Sequence, residues 1–276
     1  MRGSIACSGP ESQRYGWNTS GIEISYGDRR LVFDGGAGFR PLGLSLPSDD
    51  PIEIDHFFSH THWDHIVGMP YFCLAYRTGC KIHVRAGHLT AQGGIEAALR
   101  QAMTEPLFSV PLDVFHADID FGDFSAGDTL DLGDGIVVRT APLNHPNGAT
   151  GYRVEYDGKS ICYVTDTEHV PGSPDQNILG LIKGADLVIY DSTYTDDEFP
   201  RYVGWAHSTW QEGIRLCKPP ARGGSPSFTM IPRATMTRWT GSARPRPACS
   251  PAPLSRVSRR QSICDRPGIA ARRPCR

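Results

Sequence analysis

Between residues 60 and 65 the chain reads His60-Thr61-His62-Trp63-Asp64-His65, three imidazoles and one carboxylate within six positions. Such a run cannot settle into an apolar core, because each buried polar group needs a partner. Borderline-soft Zn²⁺ accepts imidazole nitrogen and carboxylate oxygen alike, and a turn at a strand end can aim alternate side chains at two neighbouring ions. The plain alternative is a solvated His-rich loop; so many donors at this spacing favour metal binding over it.

The elements that must position these groups are mostly strands. Ile22–Tyr26 and Arg30–Phe33 flank Gly27-Asp28, and Tyr152–Tyr156 and Ile161–Val164 flank Asp157-Gly158, two hairpin signals. Apolar runs stop at carboxylates three times, with Phe33 before Asp34, Val164 before Asp166 and Tyr190 before Asp191. Ligands of α/β sheets are held at such strand ends. Helical patterns run from Thr90 to Met103 and from Ser208 to Leu216, where Ser208 is the expected N-cap and Glu212 stands one residue beyond the capping-box position. The fold class is α/β, and 276 residues suffice for one sizeable core.

The net charge of −2 hides a split. Residues 1–217 hold 15 Lys and Arg against 29 Asp and Glu, whereas residues 218–276 hold 13 against the single acid Asp265. Ten of the 22 prolines also lie in this last segment, with Phe228 and Trp239 as its only aromatics. The chain therefore divides into a body, 1–217, and a basic Pro/Arg-rich tail, 218–276, which cannot bury enough surface to offset its ordering entropy and is expected to be disordered. The tail reads either as a basic arm for nucleic acid or as translation in the wrong frame. Read from the third base of each codon, residues 224–237 accommodate Leu-Ala-Ile-Phe-His-His-Asp-Pro and then His-Asp-Asp, a buried strand ending in metal-binding side chains. A lost base near Lys218 accounts for the charge flip, the prolines and the vanished periodicity together.

No apolar stretch near the N-terminus is long enough for a signal peptide, and none anywhere approaches a membrane span. The eight cysteines lack CxxC spacing, so neither a disulfide framework nor a zinc ribbon is indicated and a reducing cytoplasm is the simplest location.

The His60–His65 segment is similar to the metal-binding signature of the metallo-β-lactamase superfamily, and the resemblance runs from about Tyr15 to about Leu216. Asn18-Thr19 with Phe33-Asp34-Gly35-Gly36-Ala37-Gly38 resembles that family's first strands and Asp-Gly turn. Leu143-Asn144-His145 and Tyr163-Val164-Thr165-Asp166 resemble its third and fourth motifs. Gly204-Trp205-Ala206-His207-Ser208-Thr209 resembles the GHST element of its phosphodiesterase and tRNase Z branch. The resemblance implies a four-layer αβ/βα sandwich, incomplete at the C-terminus. It implies one ion on His60, His62 and His145, a second on Asp64 and His65, and Asp166 bridging both. Two Zn²⁺ are the expected cofactors, with Mn²⁺ or Fe as alternatives. His207 would serve as general acid or oxyanion partner, and Asp64 would also orient the nucleophile. The family's last motif, a late His completing the second site, has no counterpart in residues 218–276.

The implied function is metal-dependent hydrolysis of a small phosphodiester, such as a cyclic nucleotide or phosphoribosyl cyclic phosphate, by a metal-activated hydroxide. A tRNase Z-like RNA endonuclease is the alternative within the family. It is disfavoured because residues 83–145 offer Arg85, Arg100 and Arg139 but no lysine, and the acidic body repels long nucleic acid. Alternatives of other classes are a catalytically impaired frameshift product and a metal-stabilised nucleic-acid-binding protein. A small phosphodiester is thus the expected partner, no membrane is involved, and a homodimer is the assembly allowed for.

Other candidates have blander readings. Asp34 is expected to hydrogen-bond the turn at the metal motif, and Asp191 to support a neighbour without binding metal itself. Glu168 is a candidate partner for His207. Trp63 either stacks on a base or packs as cleft wall. His56, His83, His88, His116 and His169 lack ligand spacing and read as surface or satisfied histidines.

Overall fold

The computed structural model describes residues 3–10, 16–47 and 50–217, together with the backbone of 238–240. The tail expectations for 218–237 and 241–276 lie outside the described residues. Eleven strands form two sheets among these residues.

The first sheet contains β1 (Ile22–Tyr26), β2 (Arg29–Phe33), β3 (Glu53–Phe58), β4 (Lys81–Ala86), β5 (Asp118–Asp123) and β11 (Arg238–Thr240), in the order β11-β1-β2-β3-β4-β5. The second contains β6 (Thr129–Asp131), β7 (Val137–Leu143), β8 (Ala149–Tyr156), β9 (Lys159–Val164) and β10 (Leu187–Tyr190), in the order β10-β9-β8-β7-β6. Both hairpins form as their turn residues require, β1 pairing antiparallel with β2 and β8 with β9. Asp157 and Gly158 both take positive φ, as a two-residue turn matching strand twist demands. Arg238–Thr240, within the tail expected to be disordered, pairs in parallel with β1, whose outer edge otherwise presents unpaired N–H and C=O groups.

Helices α1 (Phe39–Ser45), α2 (Trp63–Ile66), α3 (Gly94–Ala102), α4 (Gln176–Ile182) and α5 (Trp210–Cys217) complete the body. The period-2 alternation of the strands divides the core into three clusters. Phe33, Phe57, Tyr152 and Tyr163 pack between the sheets. Val32, Ile54 and Val84 meet Phe39, Leu42 and Leu99 of α1 and α3 on the far side of the first sheet. Val164, Val188 and Tyr190 meet Ile178, Leu181 and Leu216 of α4 and α5 on the far side of the second. Helix, sheet, sheet, helix is the four-layer sandwich expected.

Two helix ends differ from the sequence reading. α3 starts at Gly94, after the left-handed Gly93, so the apolar period begins four residues later than Thr90. α5 is capped one residue later than expected: the Thr209 hydroxyl accepts from the Glu212 N–H at 3.1 Å, which brings Glu212 to the third helical position. Ser208 is drawn away instead, its hydroxyl bonding His169 Nδ1 at 2.8 Å and Tyr190 Oη at 3.0 Å.

Candidate metal centre

Every predicted ligand follows the C-terminal end of a strand. β3 ends at Phe58 before Ser59-His60, β7 at Leu143 before Asn144-His145, and β9 at Val164 before Thr165-Asp166. β3 is parallel to β2, and β7 and β9 both run antiparallel to β8, so each sheet sends its strand ends the same way. The packed rows beneath hold these ends still.

The segment after β3 turns into α2, whose four residues carry Asp64 and His65 inward. Its seat is the Asp34–Gly36 turn: Gly35 N–H donates to His65 O, and Gly68 N–H donates to Gly35 O, both at 2.7 Å. A Cβ on Gly36 would collide with the carbonyl oxygens of Asp64 and Ser20, and one on Gly68 with that of Gly36, so only glycine permits this approach.

Asp34, wholly buried with φ at +60°, is the hub of this turn. It accepts from Ser59 N–H at 2.7 Å, from the Ser59 hydroxyl at 2.8 and 2.9 Å, from Tyr163 Oη–H at 2.8 Å and from His65 Nδ1–H at 2.8 Å. Because Nδ1 of His65 is taken, Nε2 is the nitrogen offered to the site, 3.3 Å from Asp64 Oδ2 and 3.3 Å from Asp166 Oδ2. Burial opposes charge on His65, but Asp34 and Asp166 outweigh it and hold its pKa well above the usual histidine range.

His60 is the counterpart. Its Nδ1 lies 3.1 Å from Ser59 Oγ, and its Nε2 is buried with no hydrogen-bond partner, 3.7 Å from Asp166 Oδ2. Burial, with the charge of His65, keeps it well below its ordinary pKa. Its ring centroid is 4.0 Å from that of His65, 4.3 Å from that of His145 and 4.7 Å from that of His62. His145 Nδ1–H donates to Pro146 O at 2.8 Å, leaving Nε2 free.

The donors form groups whose ligand atoms lie within 4.8 Å of one another: His60, His62 and His145; His60, His65 and Asp166; and Asp166, Asp191 and His207. Asp64 adjoins the second group through His65. An orphaned buried imidazole nitrogen amid three other imidazoles and adjoining carboxylates is the donor set that a divalent cation satisfies. Asp166 is common to two groups, and burial, which resists its ionisation, is outweighed by His65, His60 and His207, so it stays ionised far below the usual carboxylate range.

His207 stands at the edge of this assembly, its Nδ1 3.9 Å from Asp166 Oδ2. Its Nδ1–H donates to Asp191 Oδ2 at 3.1 Å, and the hydrogen bond and charge of Asp191, with Asp166 and Asp64, overcome burial and push its pKa up to about 9. Asp191 is itself fixed by the amide N–H of Ser208 and of Thr193 and by the Thr193 hydroxyl. Glu168, the expected partner of His207, is occupied elsewhere: it accepts from Gly204 and Ala206 N–H at 2.7 and 2.9 Å. It shapes the loop that delivers His207, holding Ala206 at φ +65°.

The remaining histidines divide. His83 pairs with Glu53 and Asp120, His169 with Ser208, and His116 is exposed. His56 and His88 are not satisfied as expected, because both nitrogens of each ring are buried without a hydrogen-bond partner and burial pushes each pKa down to about 4. His56 is sandwiched between Phe39 and Phe58, packing as an aromatic, not as a polar group.

Residues 29–221 match the family model described as the beta-lactamase superfamily domain. The chain is 23% identical to ribonuclease Z of Haloarcula marismortui, over 76% of this chain and 78% of that one. Among solved structures it is similar to the metallo-beta-lactamase fold protein YhfI from Bacillus subtilis, with a TM-score of 0.58 and 18% identity over 79% of this chain and 77% of the other. It is also similar to the short form of human tRNase Z, with a TM-score of 0.54 and 20% identity over 78% and 85%. At these identities the two structures speak for the fold alone.

Proposed function

Because this chain belongs to the beta-lactamase superfamily and is a hydrolase of metallo-beta-lactamase fold, we propose that it cleaves a small phosphodiester, of the size of a cyclic nucleotide or phosphoribosyl cyclic phosphate. The observation that carries this reading is His207, anchored by Asp191 beside the Asp166 carboxylate that two donor groups share.

His60, His62 and His145 would hold one divalent cation, zinc first among the candidates, and Asp64 and His65 a second, with Asp166 between them. Cations so held supply Lewis acidity toward the phosphoryl oxygens and a water whose pKa is lowered toward neutrality. Asp64 and Asp166 present carboxylate oxygens to orient the attacking water. Asp34 keeps His65 in the tautomer whose Nε2 can bind. His207, its Nδ1–H committed to Asp191, gives its Nε2 proton to the departing alkoxide. The ring is in place before substrate arrives, which lowers the cost of orientation.

The relatives named ribonuclease Z make RNA cleavage the second reading. The cations available between residues 83 and 145 count against it: Arg85 pairs with Asp120, Arg100 with Glu96 and Asp113, and Arg139 with Glu155. Neutralised cations gather few backbone phosphates. The test is hydrolysis of bis-p-nitrophenyl phosphate, 3′,5′-cyclic nucleotides and a precursor tRNA by the zinc-loaded protein, beside His207→Ala. Cleavage of the small diesters, lowered about a hundredfold or more by the substitution, supports the proposal. Cleavage of precursor tRNA alone would transfer the assignment to the second reading.

A further inference from the structure

Glu168 and His169, two and three residues past Asp166, grip the loop that carries His207 at three points. At its start, Phe199 stacks on the His169 ring, with centroids 4.1 Å apart and planes 25° from parallel. In its middle, Gly204 and Ala206 N–H donate to Glu168 Oε2. At its end, the Ser208 hydroxyl bonds His169 Nδ1 at 2.8 Å and Tyr190 Oη at 3.0 Å. His169, Phe199 and Ser208 are all buried, so water does not stand in readily for a contact that is lost.

The grip matters because the loop is strained beside His207. Ala206 holds φ at +65°, left-handed backbone that a residue with a Cβ keeps only where its surroundings impose it. Released, Ala206 would return to negative φ and swing His207 away from Asp166. Ser208 N–H and His207 Nδ1–H meet on one oxygen, Asp191 Oδ2, at 3.2 and 3.1 Å, so a shift at Ser208 also moves the anchor of the His207 ring. Through His169, the Ser208 hydroxyl ties this anchor to the segment that bears Asp166. We propose that His169 is a positioning residue for His207: its ring face holds the start of the loop and its ring edge the end, which keeps the proton donor in register with the carboxylate that two donor groups share. The inference rests on the role given to His207 in phosphodiester cleavage and extends it to a histidine that acts only through its neighbours.

Three substitutions separate the contacts. His169→Phe keeps the stack on Phe199 and removes the hydrogen bond, His169→Asn sets an amide where Nδ1 stood and keeps the bond, and Ser208→Ala removes the hydroxyl alone. In zinc-loaded protein carrying ¹⁵N-histidine, the His207 Nδ1 proton, sheltered by Asp191, should give a slowly exchanging low-field resonance, assigned by its absence from His207→Ala. It should vanish by exchange in His169→Phe and Ser208→Ala and persist in His169→Asn. In turnover of cyclic AMP, His169→Phe and Ser208→Ala should lower kcat about tenfold, the ratio that one lost buried hydrogen bond sets between loop in and loop out, with KM within about twofold. His169→Asn should stay within about threefold of wild type. Added to His207→Ala, His169→Phe should cost no more than about twofold further, because substitutions that act through one group are not additive. A resonance that persists in both His169→Phe and Ser208→Ala, or a tenfold loss that adds in full to that of His207→Ala, would overturn the proposal. If the resonance vanishes as expected but no phosphodiester is hydrolysed, the positioning role stands and the reaction assigned above falls.

Discussion

Replacing Asp34 by Asn tests how far the site depends on a residue predicted to bind no metal. The exchange preserves size, and Asn tolerates the left-handed φ of +60° as Asp does, so the backbone is not perturbed. What changes is the donor count. Asp34 accepts from Ser59 N–H, the Ser59 hydroxyl, Tyr163 Oη–H and His65 Nδ1–H. An amide keeps one acceptor oxygen and sets an NH₂ where the other oxygen was, against donors. A tyrosine hydroxyl can rotate and accept; the Nδ1–H of His65 can adapt only by moving its proton to Nε2, the nitrogen offered to the cation. Loss of such a support costs about 10- to 100-fold in metal affinity, or about 1.4 to 2.8 kcal/mol. In metal-free protein the same change strips a buried imidazolium of one of its three carboxylates, a loss of about 3 kcal/mol. Zinc affinity by competition with a chromophoric chelator, and urea unfolding in EDTA, measure the two effects separately. Unchanged zinc affinity in a folded Asp34→Asn protein would show that the Asp34–His65 bond does not set the ligand tautomer, and the account of the second donor group would fail.

His60→Ala with His62→Ala should leave the purified protein with well under half the zinc of the wild type by mass spectrometry; equal metal content would remove these residues from the centre. His56→Leu should flatten the acid limb of stability. Between about pH 6.5 and 4 the unfolded chain binds a proton at position 56 that the folded chain refuses, so wild-type stability falls as pH is lowered through that window, by about 3 kcal/mol in all. Urea midpoints of both proteins at pH 7 and 4.5 would run parallel only if the ring were solvated. Resequencing the gene across the Lys218 codon should reveal a missing base, and the repaired strand should find the free side of β10, which among the described residues pairs with β9 alone. An unaltered reading would leave the basic arm as the account of the tail.

Local pattern carried the hairpins, the strand ends and the donor-rich turn, because each is written in neighbouring residues. It did not carry what depends on packing between distant segments. Tyr163 meets Asp34 across 129 positions, and nothing in a strand ending Tyr-Val-Thr-Asp says that its tyrosine crosses to the other sheet while its aspartate turns to the site. Glu168 was a natural partner for His207 because it lies two residues past Asp166, but Asp191, at the next strand end, reaches the ring first, and the 204–206 amides claim Glu168. His56 reads as polar in a list of residues; only its place between Phe39 and Phe58 makes it core. The one-residue displacement of the α5 cap has the same origin, since His169 and Tyr190 compete for the Ser208 hydroxyl.

The two central imidazoles explain why these residues belong together. His60 and His65 lie with ring centroids 4.0 Å apart, yet one is driven toward the neutral form and the other toward the charged form. The neutral ring keeps a buried lone pair with no donor to meet it, and the charged ring keeps a proton that Asp34 and Asp166 demand. Around them Asp34 and Asp166 both hold left-handed backbone, a strain of about 1 kcal/mol or more at each residue that persists where the surroundings over-determine it. Two cations would resolve both rings: one would meet the orphaned lone pair of His60, and the other would take the place of the Nε2 proton on His65, while Asp166 serves either state. Proton and metal then compete for one arrangement of side chains, so metal uptake should release protons, an outcome that pH-stat titration of the metal-free protein with zinc reads directly.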